Sequence, residues 1–147
     1  MDKEVLAWAA GLIDGEGCIS IAKADRKLKS PHYKMQVQVA MCHKPTIERL
    51  YEMFGGSVSM RHGKGHNRNS WTWTIFNNQA AVLLKSLLPY MVTKQDEAKV
   101  AVEFQEHVVA TPSRGWQGLL PETLAARESM YQACKRLKKL EWTDAGF

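Results

Sequence analysis

Residues 9–17 read Ala-Ala-Gly-Leu-Ile-Asp-Gly-Glu-Gly. They close a run that starts at Val5 and carries no polar side chain before Asp14. A helix that is apolar on all sides must be buried on all sides. We expect one side of this helix to pack on the chain's own core and the other side to meet a second copy. The helix would then bring the carboxylate of Glu16 to that interface, where a hard metal ion could bind it.

Length and composition limit the class of protein. The chain has 147 residues and a net charge of +5, which predicts one domain and is compatible with a nucleic-acid partner without identifying it. Its three cysteines are scattered, which argues against a zinc site and is typical of a reducing compartment. No signal peptide is recognisable, and the apolar run is too short to span a bilayer. We expect a soluble intracellular protein with no membrane partner, in the host cytoplasm, nucleoid or an organelle.

Hydrophobic periodicity predicts the element order αββαββα. Asp2 would cap the first helix, and Gly15 and Gly17 would end it near Asp14. We expect strands at residues 18–22, 34–42, 57–61 and 70–75. Between them lie a polar turn at 24–31, a helix at 46–54 and a turn at 63–67. Asn78 would cap a third helix that runs to about residue 88.

Further helices are expected beyond this order. Thr93 and Asp96 stand at capping-box spacing and predict a helix to about residue 109. Residues 111–118 resemble a loop, and residues 121–140 an amphipathic helix. The predicted fold class is α+β, with a curved antiparallel four-stranded sheet and extra C-terminal helices. We expect residues 1–110 to form the core, and residues 111–147 to add a loop and helix packed on the same domain.

The stretch 9–17 resembles the motif that names the LAGLIDADG family of homing endonucleases. The resemblance covers about residues 4–105, and the predicted element order is that of the family's core. The motif does not recur, so the chain is similar to the single-motif members that work as homodimers. The resemblance implies a Mg²⁺-dependent double-stranded DNA endonuclease, with Mn²⁺ or Ca²⁺ able to substitute for binding. It also implies a long, nearly palindromic target that is cut across a minor groove to leave short 3′ overhangs.

The resemblance identifies Glu16 as a catalytic metal ligand, and Gly15 as the residue that adds a backbone oxygen. Magnesium prefers oxygen donors and is usually held by one or two carboxylates together with phosphate and water. One Glu16 from each of two subunits would supply such a site. Most family members carry Asp at this position, and the longer side chain of Glu16 can still coordinate. The alternative is a surface glutamate in a tight turn.

Two further residues match family positions by their place in the chain. Lys94 follows the third predicted helix, where the family has a basic catalytic residue that organises water and stabilises charge. It falls in the first turn of a predicted helix, where the dipole disfavours a cation, so a phosphate could compensate. His43 stands where the family places a polar residue that orients water, and His can also accept a proton. The alternatives are a solvated lysine and a strand-end histidine without a role.

The sheet would offer one face to the major groove of DNA, with loop cations on the phosphates. Gln can pair with adenine and Lys with guanine. The candidate DNA-binding residues are Ser20, Ala22, Arg26, Lys27, Lys29, Lys34, Gln36, Gln38, Ala40, Ser59, Arg61, Lys64, Arg68, Ser70, Thr72 and Thr74. The alternative is an ordinary solvated sheet face.

The first helix is the candidate dimer interface. Its expected contact residues are Leu6, Ala9, Ala10, Gly11, Ile13 and Asp14. Gly11 would allow close approach of two helices, and Asp14 would be structural, bonding backbone N–H groups of the following turn. Two other functions remain open on the same scaffold. One is a maturase that binds intron RNA, and the other is a DNA-binding regulator without catalysis.

Overall fold

The computed structural model describes residues 1–140 and Trp142. Five helices and four strands follow one another along this part of the chain. They are α1 (Lys3–Glu16), β1 (Gly17–Arg26), β2 (Lys29–Met41), α2 (Lys44–Phe54), β3 (Ser57–Arg61), β4 (Ser70–Phe76), α3 (Asn77–Leu87), α4 (Gln95–Ala110) and α5 (Pro121–Leu137). Short 3₁₀ turns lie at Leu88–Tyr90 and Gly115–Gln117. The predicted α+β class and the order αββαββα are confirmed.

The four strands form one antiparallel sheet in the order β1-β2-β4-β3. Alternation gives this sheet one apolar face, because successive side chains of a strand point to opposite sides. Ile19 pairs with Val37, and Val39 pairs with Trp73, so their side chains share the inner face and are buried there. The helices cover this inner face. The opposite, outer face carries the polar half of each strand and is left uncovered by the core.

Two element boundaries differ from the predictions. Helix α1 does not end at Asp14 but continues through Gly15 to Glu16, because a glycine inside a helix costs only about 1 kcal/mol. Gly17 ends the helix, and a Cβ there would lie 2.7 Å from the Ile13 carbonyl oxygen. The polar turn predicted at 24–31 is wrong as well. Strands β1 and β2 continue to a turn at residues 27–28, so the hairpin is longer than its charged sequence suggested.

Two predicted helix caps are wrong. Helix α3 begins at Asn77 with Phe76 as its N-cap, and the Asn78 side chain instead accepts a hydrogen bond from Gln105 Nε2 at 2.7 Å. Helix α4 has Lys94, and not Thr93, at its N-cap position. The last helix stops at Leu137, short of the predicted residue 140. At α4 the start of the helix is held by a tertiary contact, because the Asp14 carboxylate accepts a hydrogen bond from the Lys94 N–H at 3.0 Å.

Helix α5 packs on α4 and on the strands β1 and β2. Its Cys134 is buried, with Sγ 3.9 Å from the carbonyl oxygen of Ile19 in the edge strand β1. Burial raises the pKa of the Cys134 thiol. Within residues 1–140 and Trp142, none of the helices has the length and apolar character needed to cross a membrane.

Candidate nucleic-acid interface and active centre

The carboxylate of Glu16 stands exposed at the C-terminal end of α1. A helix C-terminus carries unsatisfied carbonyl groups and a partial negative charge, which favours a nearby cation. Gly17 fixes where the helix ends, because a side chain at this position would meet the backbone of Ile13. The end of α1 therefore places the carbonyl group of Gly15 and the side chain of Glu16 next to each other along the chain.

Asp14 fastens α4 to the end of α1. Its Oδ2 accepts a hydrogen bond from the Val92 N–H at 2.7 Å, and its Oδ1 accepts one from the Lys94 N–H at 3.0 Å. The Lys94 ammonium in turn donates to the backbone carbonyl oxygen of Asp14. The prediction that Asp14 bonds the turn that follows it is therefore wrong, because its partners lie far along the chain. The structure does bring Lys94 to the motif, because its ammonium contacts Asp14, which lies two residues before Glu16.

The same contact compensates the positive charge of Lys94, which lies near the N-terminus of α4. A cation at a helix N-terminus is disfavoured, and the sequence suggested that a phosphate compensates. The structure shows an internal compensation, since the Lys94 ammonium sits on the C-terminal end of α1. The side chain is half-buried, so its charge is held in place beside the proposed metal ligand.

A metal site within one protomer would be incomplete. Among residues 1–140 and Trp142, no group of three or more His, Cys, Asp or Glu side chains could hold an ion. Magnesium needs only one or two protein carboxylates, with phosphate and water as further ligands. The exposed Glu16 and the helix-end carbonyl of Gly15 therefore fit a magnesium site that other molecules complete.

His43 is not drawn into this centre. It precedes α2, is exposed, and its Nδ1 lies 2.7 Å from Thr46 Oγ1. Within the described chain, no hydrogen bond or ion pair joins His43 to Glu16 or Lys94. The histidine is tied to the first turn of α2 instead.

Half of the residues proposed for the dimer interface face inward. Ala9, Ala10 and Ile13 are each 0% exposed in the single protomer, so they pack on its own core and have no surface left for a partner. Of the other three, Leu6 and Asp14 are half-buried, and Gly11 is exposed. The free face of α1 contains Ala7, Gly11 and Gly15 at i, i+4 spacing, and a Cβ at either glycine would have nothing within 4 Å.

The sheet register brings the predicted DNA-binding positions of all four strands to the outer face. Directly opposite residues of antiparallel strands share a face. In one row Ser20 lies opposite Gln36, and in the next Cys18 lies opposite Gln38. Ala40 pairs with Thr72, which pairs with Ser59.

Thr74 is the exception on this face, because it is only 6% exposed. Its Oγ1 accepts a hydrogen bond from Gln38 Nε2 at 3.2 Å. This burial leaves Thr74 little surface for a contact with DNA, and its hydroxyl holds the amide of Gln38 instead.

The loop cations fall into two groups at the ends of the two hairpins. Lys27 and Lys29 are exposed at the β1–β2 turn, where Arg26 donates from Nε and Nη2 to the Ser30 carbonyl oxygen at 3.0 and 2.8 Å. At the β3–β4 loop, a cavity of about 300 Å³ is lined by polar and basic residues. These are Arg61, His62, Gly63, Lys64, Asn67, Arg68 and Ser70.

Several outer-face residues are absent from the predicted DNA-binding set, among them Phe76, Ser57 and Cys18. Phe76 lies opposite Gln36, Ser57 lies opposite Thr74, and Cys18 lies opposite Gln38. Extending the same period-two alternation by one residue pair would have found Cys18 and Ser57. The same alternation continued past Thr74 reaches Phe76, which lay just beyond the predicted end of the strand at residue 75.

An ionic cluster fixes α5 against the far end of the β1–β2 hairpin. Lys23 of β1 forms a salt bridge with Glu128 at 3.1 Å, and the Tyr33 hydroxyl donates to the same carboxylate. The hydrogen bond from Tyr33, with further ones from Gln132 and Lys23, lowers the pKa of Glu128 to about 2. Burial and the Glu128 contact raise the pKa of Tyr33 to about 12. The hydrogen bond to Glu128 also raises the pKa of Lys23.

The chain is similar to known proteins in both sequence and structure. The sequence model described as LAGLIDADG endonuclease matches residues 9–100. No curated protein matches the chain. The homing endonuclease I-CvuI, in complex with its target in the presence of 2 mM Ca, is similar with a TM-score of 0.74 and 17% identity, covering 98% of this chain and 87% of that one.

Two other solved structures share the fold. The archaeal intron-encoded homing endonuclease I-Vdi141I, complexed with DNA, has a TM-score of 0.77 and 12% identity, covering 100% of this chain and 89% of that chain. The homing endonuclease I-TnaI has a TM-score of 0.58 and 21% identity, covering 91% of this chain and 93% of that chain. At these identities the likeness establishes the fold and leaves the residue roles to the geometry above.

Proposed function

This chain belongs to the LAGLIDADG endonuclease family, and we propose that it is a site-specific double-stranded DNA endonuclease that works as a homodimer with Mg²⁺. Its target would be long and nearly palindromic, because two identical subunits read mirrored half-sites. The cut would leave short 3′ overhangs. One observation carries the proposal: the exposed carboxylate of Glu16 ends α1 at the point where Lys94 is fastened to the same helix end.

Each group at this point has a proposed task. Glu16 and the carbonyl oxygen of Gly15 would hold a divalent ion, Mg²⁺ in catalysis, with Mn²⁺ or Ca²⁺ sufficient for binding. The chemistry that such an ion supplies is activation of a water and neutralisation of charge on the scissile phosphate. Lys94 would add a fixed positive charge beside the carboxylate, at a place set by its bond to the Asp14 carbonyl. Two copies of Glu16 would complete the centre.

The free face of α1 supports the dimer. Gly11 and Gly15 have no neighbour of their own protomer within 4 Å of an added Cβ, so nothing inside the protomer requires glycine there. Small residues on a helix face let a second helix approach closely. Packing two such faces together would bring both Glu16 carboxylates to the dimer axis.

Cleavage of a randomised duplex library with Mg²⁺ tests the proposal directly. We expect the wild type to enrich one cut sequence with approximate two-fold symmetry. Glu16→Gln should bind the enriched duplex in Ca²⁺ but lose cleavage by at least 10²-fold, the order at which single transition-state contacts act. Glu52→Gln, which removes an exposed carboxylate from α2, is the matched control and should cut normally. Cleavage by Glu16→Gln at the wild-type rate would overturn the assignment.

Sedimentation analysis tests the dimer. Gly11→Leu should fold yet shift the protein towards monomer, because the protomer has room for the side chain and a close helix pair does not. Ala125→Leu places the same extra bulk on an exposed position of α5 and should leave the dimer intact. A wild type that is monomeric at the concentration at which it cleaves DNA would contradict the proposed homodimer.

The same library separates the other functions of this scaffold. A protein that selects duplexes but never cuts them would be a DNA-binding regulator. A protein that ignores the duplexes and binds a structured intron RNA would be a maturase.

A further inference from the structure

Phe76 is unusual among the residues of the outer sheet face. It is half-buried, lies opposite Gln36 and ends strand β4. The other outer-face residues of the four strands, as far as the structure describes them, are small, polar or charged. A large apolar ring on a face that the core does not use is not explained by core packing, and its partner lies on the outer face itself.

The ring of Phe76 carries the ammonium of Lys34. Nζ of Lys34 lies 3.5 Å from the ring centroid, well within the range of a cation–π contact. Lys34 is on β2 and Phe76 is on β4, which are the two central strands of the sheet. The lysine therefore leans towards the middle of the sheet and away from the β1 edge.

The position of the ammonium decides what it can reach. Base edges are displayed on the floor of the major groove and phosphates along its two rims, so for a sheet docked in the groove we expect central side chains to meet bases and peripheral ones to meet phosphates. The exposed Lys27 and Lys29, at the hairpin tip, are placed for phosphates. Lys34 has no carboxylate partner within the described chain, so the donors that do not face the ring remain available.

We propose that Phe76 is a positioning residue that holds Lys34 over the two central strands of the sheet, where its ammonium donates to the O6 and N7 atoms of a guanine in each half-site. The proposal rests on the proposed function, since it assigns one base contact of the DNA-reading face. Gln36, the next outer-face residue of β2, would read a neighbouring base pair. Phe76 thus determines specificity without touching the base itself.

Four proteins test this assignment. They are the wild type, Lys34→Met, Phe76→Leu and Phe76→Tyr. Leucine keeps an apolar side chain of similar size but removes the π face, and tyrosine restores the aromatic ring. Thermal unfolding checks that each variant folds. The probe is the duplex that the wild type selects from a randomised library in Ca²⁺, so that binding is measured without cleavage.

The readout is the dissociation constant for that duplex and for single-base variants of it. We expect one position per half-site at which the wild type prefers guanine about five- to tenfold, the lower end of the range for a specific base contact. Replacing that guanine by 7-deazaguanine, which lacks the N7 acceptor, should weaken wild-type binding. Lys34→Met should lose both effects. Phe76→Leu should lose most of the preference, and Phe76→Tyr should keep it.

Three results would overturn the proposal. Phe76→Leu could keep the full guanine preference, which would mean that the ring does not position the lysine. Lys34→Met could weaken all duplexes equally and reduce the salt slope of log K by about 0.9, which is the signature of a phosphate contact. The wild type could show no sensitivity to 7-deazaguanine at any position. If the wild type selects no duplex at all, the proposed function fails first, and that failure is distinct from these.

Discussion

Asp14 holds the first and fourth helices together, and its removal should reveal how much that contact contributes. Asp14→Ala deletes the acceptor of two backbone N–H groups, those of Val92 and Lys94, at 2.7 and 3.0 Å. The Lys94 N–H lies at the N-cap of α4, where a helix start leaves N–H groups without helical partners, and the Val92 N–H lies two residues earlier. The Lys94 ammonium keeps its bond to the Asp14 main chain, because that acceptor is not part of the side chain.

The size of the effect follows from the kind of bond. A hydrogen bond to a charged group contributes about 1.5–3 kcal/mol net. The Asp14 carboxylate is half-buried and Val92 is exposed, which places both bonds at the low end, and we expect a total loss of about 3 kcal/mol. For a protein of this size, that corresponds to a fall in Tm of about 6–12 °C. Asp14→Asn keeps one carbonyl oxygen and should lose about half as much.

Urea unfolding at one fixed protein concentration measures the loss, since dimer stability depends on concentration. Asp2→Ala is the control. It also removes a carboxylate cap, but the Glu4 N–H bond is long, at 3.4 Å, and exposed, so we expect a loss below about 1 kcal/mol. If Asp14→Ala and Asp2→Ala unfold at the same urea concentration, the bonds from Val92 and Lys94 to Asp14 do not contribute the expected stability.

Three further outcomes are expected. Gly17→Ala should lower the free energy of unfolding by about 1–3 kcal/mol, because its Cβ would lie 2.8 Å from Ile13 Cα. Gly15→Ala is the control, since its Cβ has open space, and it should not lower this free energy. Urea unfolding at a concentration where both variants are monomeric measures the difference. Glu128→Gln should reduce the loss of unfolding free energy that the wild type shows as the pH falls below 4.5. The folded pKa of about 2 lies below the ordinary 4.5, so this carboxylate stabilises the fold above pH 4.5 and the contribution disappears towards pH 2. A loss equal to that of the wild type would contradict that. His43→Ala should slow cleavage by less than about tenfold, less than the loss of a general base, because the described contacts of His43 lead to Thr46 of α2 and not to Glu16 or Lys94. A larger drop would restore a catalytic role.

Side-chain alternation was enough to predict the sheet and its two faces. Val37 and Trp73 could be placed inward because a strand with one buried face alternates strictly, and the register confirms that placement. Gln36 and Gln38 follow outward from the same rule. The candidate metal ligand was equally readable, because Glu16 belongs to a local motif whose position does not depend on distant contacts.

The remaining features depend on contacts between distant segments. Nothing near Asp14 in the sequence indicates that it caps the start of α4, and the apparent capping signals of Thr93 and Asn78 were wrong for the same reason. Because the first helix is apolar on all sides, its sequence does not indicate which side faces the core. Ala9 and Ala10 were as plausible on the dimer face as Gly11, and only packing shows that the core uses them. Phe76 lay outside the predicted strand and was assigned to no face until the register placed it on the outer one.

The contact between α5 and the first strand bears on aggregation during synthesis. Strand β1 is an edge of the sheet, and an uncovered edge is a template for pairing with another chain. Cys134 of α5, whose Sγ lies 3.9 Å from the Ile19 carbonyl oxygen of this strand, is translated long after β1. A fragment that stops at residue 100, where the family match ends, would retain every group proposed for catalysis but would lose α5 and most of α4, the two helices of this region that pack on β1. Engineered fusions of this scaffold should therefore carry the C-terminal helix as a solubility element.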